Sequence, residues 1–307
     1  MAVIELRGLR KEYRTGRRGG RTVALDGVDL DVPEGGVFGF VGPNGAGKTT
    51  TIRCLLNLVR PSSGRCLVLG VDPQVHYERI QRRIGALIED QALVPAFSGR
   101  RNLLHLGRLH ALPAARADAV LERVGLSERA DDPVRTYSLG MRQRLGLAAA
   151  LLKDPELLLL DEPANGLDPQ GIVEVRRLLT SLAAEGRTVF VSSHQLAEVQ
   201  QVCDQIAVLA RGRCIAAGPV DGVLASVGTA GVLARVDDPV AAVAALQAEG
   251  IDAWIDDEGL VRSPLPAGDA PLLARALARH DIYPRELRPG GASLEAAFLA
   301  LTEREDR

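Results

Sequence analysis

The chain has 307 residues, enough for one large domain and a smaller companion, and 46% of them are apolar, enough to fill a buried core. Its formal net charge is -2 with acids and bases interspersed, so no field is available to hold DNA or an anionic membrane by electrostatics alone, and nucleic acid is not an expected partner. Cys54, Cys66, Cys203 and Cys214 are scattered, with no CxxC pair and no histidine cluster, which leaves neither a disulfide nor a zinc site to expect.

The opening MAVIELRGLR lacks the apolar core of a signal peptide, and runs such as LGLAAALL (145–152) are too short to span a bilayer; a cytoplasmic protein is expected. Of 37 basic residues only Lys11, Lys48 and Lys153 are lysine. A lysine kept against such a bias marks a place where a compact ammonium serves and a planar guanidinium does not.

In chain order, LRGLRKEY (6–13) ends on Tyr13, and RTGRRGGR (14–21) reads as a solvated hairpin tip. The apolar GVFGFV (36–41) reads as a buried strand, and TTIRCLLNLV (50–59) as a helix. Between them GPNGAGKT (42–49) matches G-x-x-x-x-G-K-[ST] in the strand, loop, helix context the motif requires. Gly42, Gly45 and Gly47 let the backbone curl so that successive N–H groups face an anion, and the following helix adds its dipole. The expected nucleotide contacts therefore run from Gly42 through Pro43, Asn44, Gly45, Ala46 and Gly47 to Lys48, Thr49 and Thr50. Lys48 is aimed at the terminal phosphates, and Thr49 at Mg2+.

Residues 84–95, IGALIEDQALVP, set Glu89, Asp90 and Gln91 behind a short apolar run; locally this is an ordinary loop. LLLLDEP (157–163) has the leucine run of a strand buried on both faces, ending in two carboxylates. Ligands of open α/β sheets bind at such strand ends. There Asp161 can hold Mg2+ through its hydration shell, while Glu162 can take a proton from an attacking water. TVFVSS (188–193) reads as another strand, followed by His194. From about residue 220 alanine increases, and the pattern becomes strand (232–236), helix (239–250), two strands (252–256 and 260–262), helix (270–280) and strand (282–287), closed by SLEAAFLALTERE. Trp254 and His280 are isolated there and read as packing residues.

The ordered motifs over residues 1–220 resemble the nucleotide-binding subunit of ATP-binding cassette (ABC) transporters, with YSLGMRQRLGLAAALL (137–152) similar to the family's signature loop and helix. The resemblance implies a P-loop α/β core with a helical subdomain over about 76–153; the pattern beyond it reads as a separate small α/β (α+β) domain over 221–307. The resemblance further implies that ATP is sandwiched in a head-to-tail homodimer, with Ser138 and the backbone N–H of Gly140 on the partner's γ-phosphate. Leu139 and Met141 depart from the usual L-S-G-G-Q pattern. By the same resemblance Tyr13 stacks on adenine, Asp168 in NGLDP (165–169) joins the two sites, and His194 reads the γ-phosphate beside the catalytic Glu162. Lys48 completes that catalytic set. Counting from Ile84, Glu89 takes the position of the family's Mg2+-touching glutamine, as in the subgroup exporting bacitracin, lantibiotics and related peptides. The closing segment is similar to the ends of drug-export ATPases. The implied activity is ATP hydrolysis driving export through a separate transmembrane permease, with the chain held peripherally on the inner face of the cell membrane. A soluble ABC ATPase acting on ribosomes or DNA is the rival reading, and such proteins usually carry two cassettes or a long coiled coil.

Overall fold

The computed structural model describes residues 2–15, 20–88, 93–226, 231–256, 258–290, 294, 297–298 and 301–302. The chain divides into two compact units, Met1–Gly218 and Pro219–Arg307.

In the first unit, β1 (Ala2–Thr15) and β2 (Gly20–Pro33) form a long antiparallel hairpin, and β4 (Ser63–Val68) pairs with the other edge of β1. Alternating residues such as Val28, Leu30 and Val32 turn one face of β2 inward, the period-2 pattern of a half-covered strand. The second sheet is built on β3 (Gly36–Val41), β5 (Ile84–Leu87), β6 (Leu157–Asp161), β7 (Thr188–Ser193), β8 (Gln205–Ala210) and β9 (Arg213–Pro219), in the order β5-β6-β7-β3-β8-β9. The pairings from β5 to β8 are parallel. Every residue of β6 is buried, as its leucine run requires. Phe190 of β7 packs against Phe38 and Phe40 of β3, with ring centroids 5.8 and 5.2 Å apart. Each of these buried rings contributes about 1.5–3 kcal/mol over its exposed state.

The loop after β3 leads into α1 (Lys48–Leu55), which stops short of the expected residue 59 because Asn57 takes φ 57°, the left-handed position that ends helices. α2 (Pro73–His76) is a single turn. Within 76–153, β5 belongs to the six-stranded sheet, and the longer helices are α3 (Gly99–Leu109), α4 (Ala115–Arg123) and α5 (Leu139–Leu151). Buried Asn102 of α3 accepts from Val94 N at 2.8 Å and donates to the carbonyls of Val94 and Ser98, which fixes the loop before that helix. α6 (Pro169–Ala184) and α7 (Leu196–Gln200) follow the strand ends of β6 and β7. Burial pushes the thiols of Cys54 and Cys214 up to about 11, and those of Cys66 and Cys203 to about 12, so they stay protonated.

The second unit opens with α8 (Val220–Ser226) and continues as β10 (Gly231–Arg235), α9 (Pro239–Ala248), β11 (Trp254–Ile255), β12 (Val261–Ser263), α10 (Ala270–Ala278) and β13 (Glu286–Gly290). The sheet order is β11-β12-β10-β13, antiparallel throughout, which is ferredoxin-like β-α-β-β-α-β connectivity. Its core joins Val232, Ala234 and Val261 of the sheet to Ala242 and Leu246 of α9 and Leu273 and Leu277 of α10. The last strand lies at 286–290, not at the expected 282–287. Pro284 has no N–H to give a ladder, and pairing begins beyond it, where Arg285 N donates to Arg235 O at 2.7 Å. Trp254, on the edge strand β11, is 46% exposed and does not belong to that core.

Candidate nucleotide site

Glycine is required at two points where the chain leaves β3. A Cβ on Gly42 would stand 2.2 Å from the carbonyl oxygen of Leu209, and one on Gly47, at φ 111°, would stand 2.6 Å from that of Ala24. The curl is held by Ala46 N donating to Pro43 O at 3.1 Å and Gly212 N to Ala46 O at 3.0 Å. Gly47 caps α1 without any side-chain bond, so the first-turn N–H groups have no side-chain cap and are open to an anion. Lys48 is only 6% exposed, and its ammonium donates to the carbonyls of Gly42 at 2.7 Å and Pro43 at 3.3 Å. Its third neighbour is Glu162 Oε1, at 3.3 Å.

Glu162 stands just past β6 with φ 50°, an uncommon backbone for a side chain with a Cβ. Its N–H is shared between the carbonyl oxygen of Ser192 at 3.2 Å and the Ser192 hydroxyl at 3.1 Å. Oε2 meets His194 Nδ1 at 2.8 Å. An ionised carboxylate only accepts, so in this pair Nδ1 carries the proton. One carboxylate thus spans an ammonium and an imidazole. Around it a cavity of about 600 Å³ is lined by Pro43, Asn44, Gly45, Gly47, Lys48, Thr49, Thr50, Glu162 and His194, together with Ala24 and Asn165.

Asp161, the last residue of β6, is 3% exposed; its Oδ1 accepts from the Ser192 hydroxyl, while buried Oδ2 has no partner among the described residues. An orphaned carboxylate oxygen is costly unless something meets it, and a hydrated cation fits this need. The unpaired carboxylate oxygen therefore suits a cation such as Mg2+; of the two expected metal residues Thr49 lies on the cavity wall and Asp161 does not.

Among the described residues, Tyr13, Ser138, Gly140 and Asp168 do not line this cavity. Tyr13 has the Lys11 ammonium 5.0 Å over its ring, and that ammonium donates to Arg60 O at 2.7 Å. Ser138 caps α5, accepting from Met141 N at 3.2 Å, with Gly140 in that helix's first turn. Asp168 caps α6, accepting from Gly171 N at 2.9 Å. Glu89, like Asp90 and Gln91, lies outside the described residues. Conversely, Ser192 and Asn165 escaped the sequence reading. Asn165 sits inside the quoted NGLDP. Ser192 is a hydroxyl inside an apolar strand, which marks it as unusual, but its partner follows only from the register Asp161↔Ser192.

The parallel sheet, the glycine loop and the uncapped helix define a P-loop nucleotide hydrolase. The ABC transporter family profile matches residues 25–165. The daunorubicin resistance ATP-binding protein DrrA3 of Streptomyces coeruleorubidus is 42% identical over 296 residues, covering 93% of each chain. The bacitracin transport ATP-binding protein BcrA of Bacillus licheniformis is 42% identical over 221 residues, 71% of this chain and 70% of that one. Among solved structures, cbiO1 from Clostridium perfringens, part of the ABC transporter complex cbiONQ, gives a TM-score of 0.65 at 29% identity over 73% of this chain and 91% of that chain. A dimeric ATP-binding cassette in a post-hydrolysis state, bound to ADP and Pi, gives 0.65 at 25% identity over 71% and 98%. The chain belongs to the ABC transporter ATP-binding proteins, and it is an ATPase. No helix among the described residues is long and apolar enough to cross a membrane.

Proposed function

We propose that this ATPase powers export of a drug, a peptide antibiotic or a similar amphiphile through a separate permease, which holds it on the inner face of the cell membrane. The observation that carries the reading is the match to DrrA3 over 93% of both chains, which extends beyond the nucleotide unit into the second one. The BcrA match covers only 71% of this chain and supports the same export class. Both relatives are named for transport or resistance, which favours export over a ribosome- or DNA-directed role.

In this reading the open N–H groups of α1 and the Lys48 ammonium bind the phosphates, with the phosphate oxygens competing for Lys48 against Gly42 O, Pro43 O and Glu162. Thr49 and the free Oδ2 of Asp161 would hold Mg2+, which when bound would neutralise charge on the phosphate oxygens. Glu162 accepts the proton of the attacking water. His194 fixes the direction of that carboxylate through Nδ1 and presents Nε2 to the cavity side. Ser138 and Gly140, which do not line their own chain's cavity, serve the site of the other subunit in a head-to-tail homodimer, with Asp168 at the junction. The Tyr13 face not covered by Lys11 is the adenine platform. Glu89 is assigned, by resemblance alone, to contact with Mg2+ and with the permease.

The test is to look beside the gene for one encoding a membrane protein of about six spans, express the chain with it, and measure efflux and resistance, with Glu162→Gln as the inactive control. Export that depends on Glu162 is expected. Export indifferent to Glu162→Gln, or co-purification with ribosomes in place of the membrane protein, contradicts the reading. The Glu89 role is checked by comparing Glu89→Gln, Asp90→Asn and Gln91→Ala: Glu89→Gln is expected to keep ATP affinity and uncouple hydrolysis from resistance. If Gln91→Ala alone uncouples, Gln91 holds that position.

A further inference from the structure

Ser192 is fully buried in β7, and the parallel register sets it directly beside Asp161 of β6. Its hydroxyl bonds two adjacent residues on the far side of that pairing: it donates to Asp161 Oδ1 and accepts the peptide N–H of Glu162 at 3.1 Å. The polarity of the pair is forced. A carboxylate only accepts and a peptide N–H only donates, so the hydroxyl gives its single proton to Asp161 and a lone pair to Glu162. No apolar side chain can do both.

Among the described residues this hydroxyl is the one side-chain partner of the Asp161 carboxylate, whose other oxygen is buried and free. It also helps hold Glu162 in its left-handed backbone at φ 50°, together with the Ser192 carbonyl at 3.2 Å. Packing alone does not call for serine here, since the preceding residues Val189, Phe190 and Val191 fill the same strand with apolar groups. A buried hydroxyl is unfavourable unless its bonds are made, and these bonds are made to the two carboxylate-bearing residues at the end of β6.

We propose that Ser192 is a positioning residue for ATP hydrolysis: one hydroxyl sets both the direction of the Asp161 carboxylate and the backbone from which Glu162 projects. The inference rests on the roles proposed above for Asp161 and Glu162. It predicts that metal affinity and turnover fall together when the hydroxyl is removed, because one group serves both, while phosphate binding at the loop is left alone.

The test uses the purified full chain carrying Ser192→Ala, Ser192→Thr or Glu162→Gln. ATP affinity is titrated in EDTA and again in Mg2+, turnover is measured against Mg2+ concentration, and unfolding temperature is recorded without nucleotide. For Ser192→Ala the expected result is ATP affinity in EDTA within about twofold of the unmutated chain. Loss of a group that orients a metal ligand costs about 10- to 100-fold, read here both in the Mg2+-dependent gain of ATP affinity and in kcat. Ser192→Thr, which keeps the hydroxyl, restores most of both. A Ser192→Ala chain with unchanged Mg2+ dependence and kcat overturns the proposal. So does an outcome in which Ala and Thr lower the unfolding temperature and EDTA-state affinity alike, since that is a packing role. If Glu162→Gln loses turnover while Ser192→Ala does not, Ser192 alone is misassigned; if Glu162→Gln also keeps turnover, the roles at the end of β6 fall first and Ser192 with them.

Discussion

The two sheets at the heart of the two units use similar apolar residues and arrive at different capacities. In the six-stranded sheet the ends of β3, β6 and β7 point the same way, so Lys48, Asp161, Glu162, Ser192 and His194 converge although they come from distant parts of the chain. In the β10–β13 sheet neighbouring strands alternate in direction. Its buried polar residue among the described ones, Ser263, accepts from Leu265 N at 3.5 Å, and its charged side chains pair with one another, as Arg262 does with Asp256 at 2.7 Å. Parallel strands gather chemistry at one edge because all their C-terminal ends lie together. An antiparallel sheet disperses the same residue types.

That contrast can be broken by experiment. The largest effect is expected at the strand end of β6: Glu162→Gln keeps the shape of the side chain and loses proton acceptance, which should cut steady-state ATPase by about 100- to 10,000-fold. Next, Leu246→Ala empties a fully buried site in the second unit and should cost about 2–5 kcal/mol there, seen by chemical unfolding followed through Trp254. Its ATPase rate should stay near that of the unmutated chain, and a collapse of turnover would show that the second unit serves the nucleotide site. Lys48→Ala should weaken ATP binding by about 1.5–3 kcal/mol, tenfold or more, as the loss of a charged hydrogen-bond donor. Lys48→Arg should not restore it, because the pocket between Gly42 O, Pro43 O and Glu162 fits a compact ammonium. Full affinity in the arginine chain would refute the reading drawn from the scarcity of lysine. Smallest of all, Trp254→Ser on the exposed edge strand should move the stability of its unit by no more than about 0.5 kcal/mol. A larger loss would place Trp254 in a packed setting.

Legibility followed the range of the interactions. GPNGAGKT could be read because the phosphate loop is set by local backbone needs: Gly42 and Gly47 have no room for a Cβ, and a helix begins at Lys48. The strands 36–41 and 188–193 were legible from their apolar runs and match β3 and β7 residue for residue. The role of Ser192 was hidden because its two partners are some thirty residues away and meet it only once β6 and β7 pair. The end of α1 and the start of β13 were misplaced for local reasons that periodicity does not register, a left-handed Asn57 and the missing N–H of Pro284. Tyr13, Ser138 and Asp168 were identified by resemblance, and within one chain they are a stacked ring and two helix caps.

The central claim is that Glu162, held between Lys48 and His194, takes the proton on which hydrolysis depends, while ATP binds without that proton transfer. The most direct measurement is to incubate the Glu162→Gln chain with Mg2+ and ATP labelled on the γ-phosphate, isolate the protein, and identify the nucleotide it holds. The account predicts intact ATP, retained with its label. ADP in the bound fraction, with label released at the rate of the unmutated chain, would contradict it.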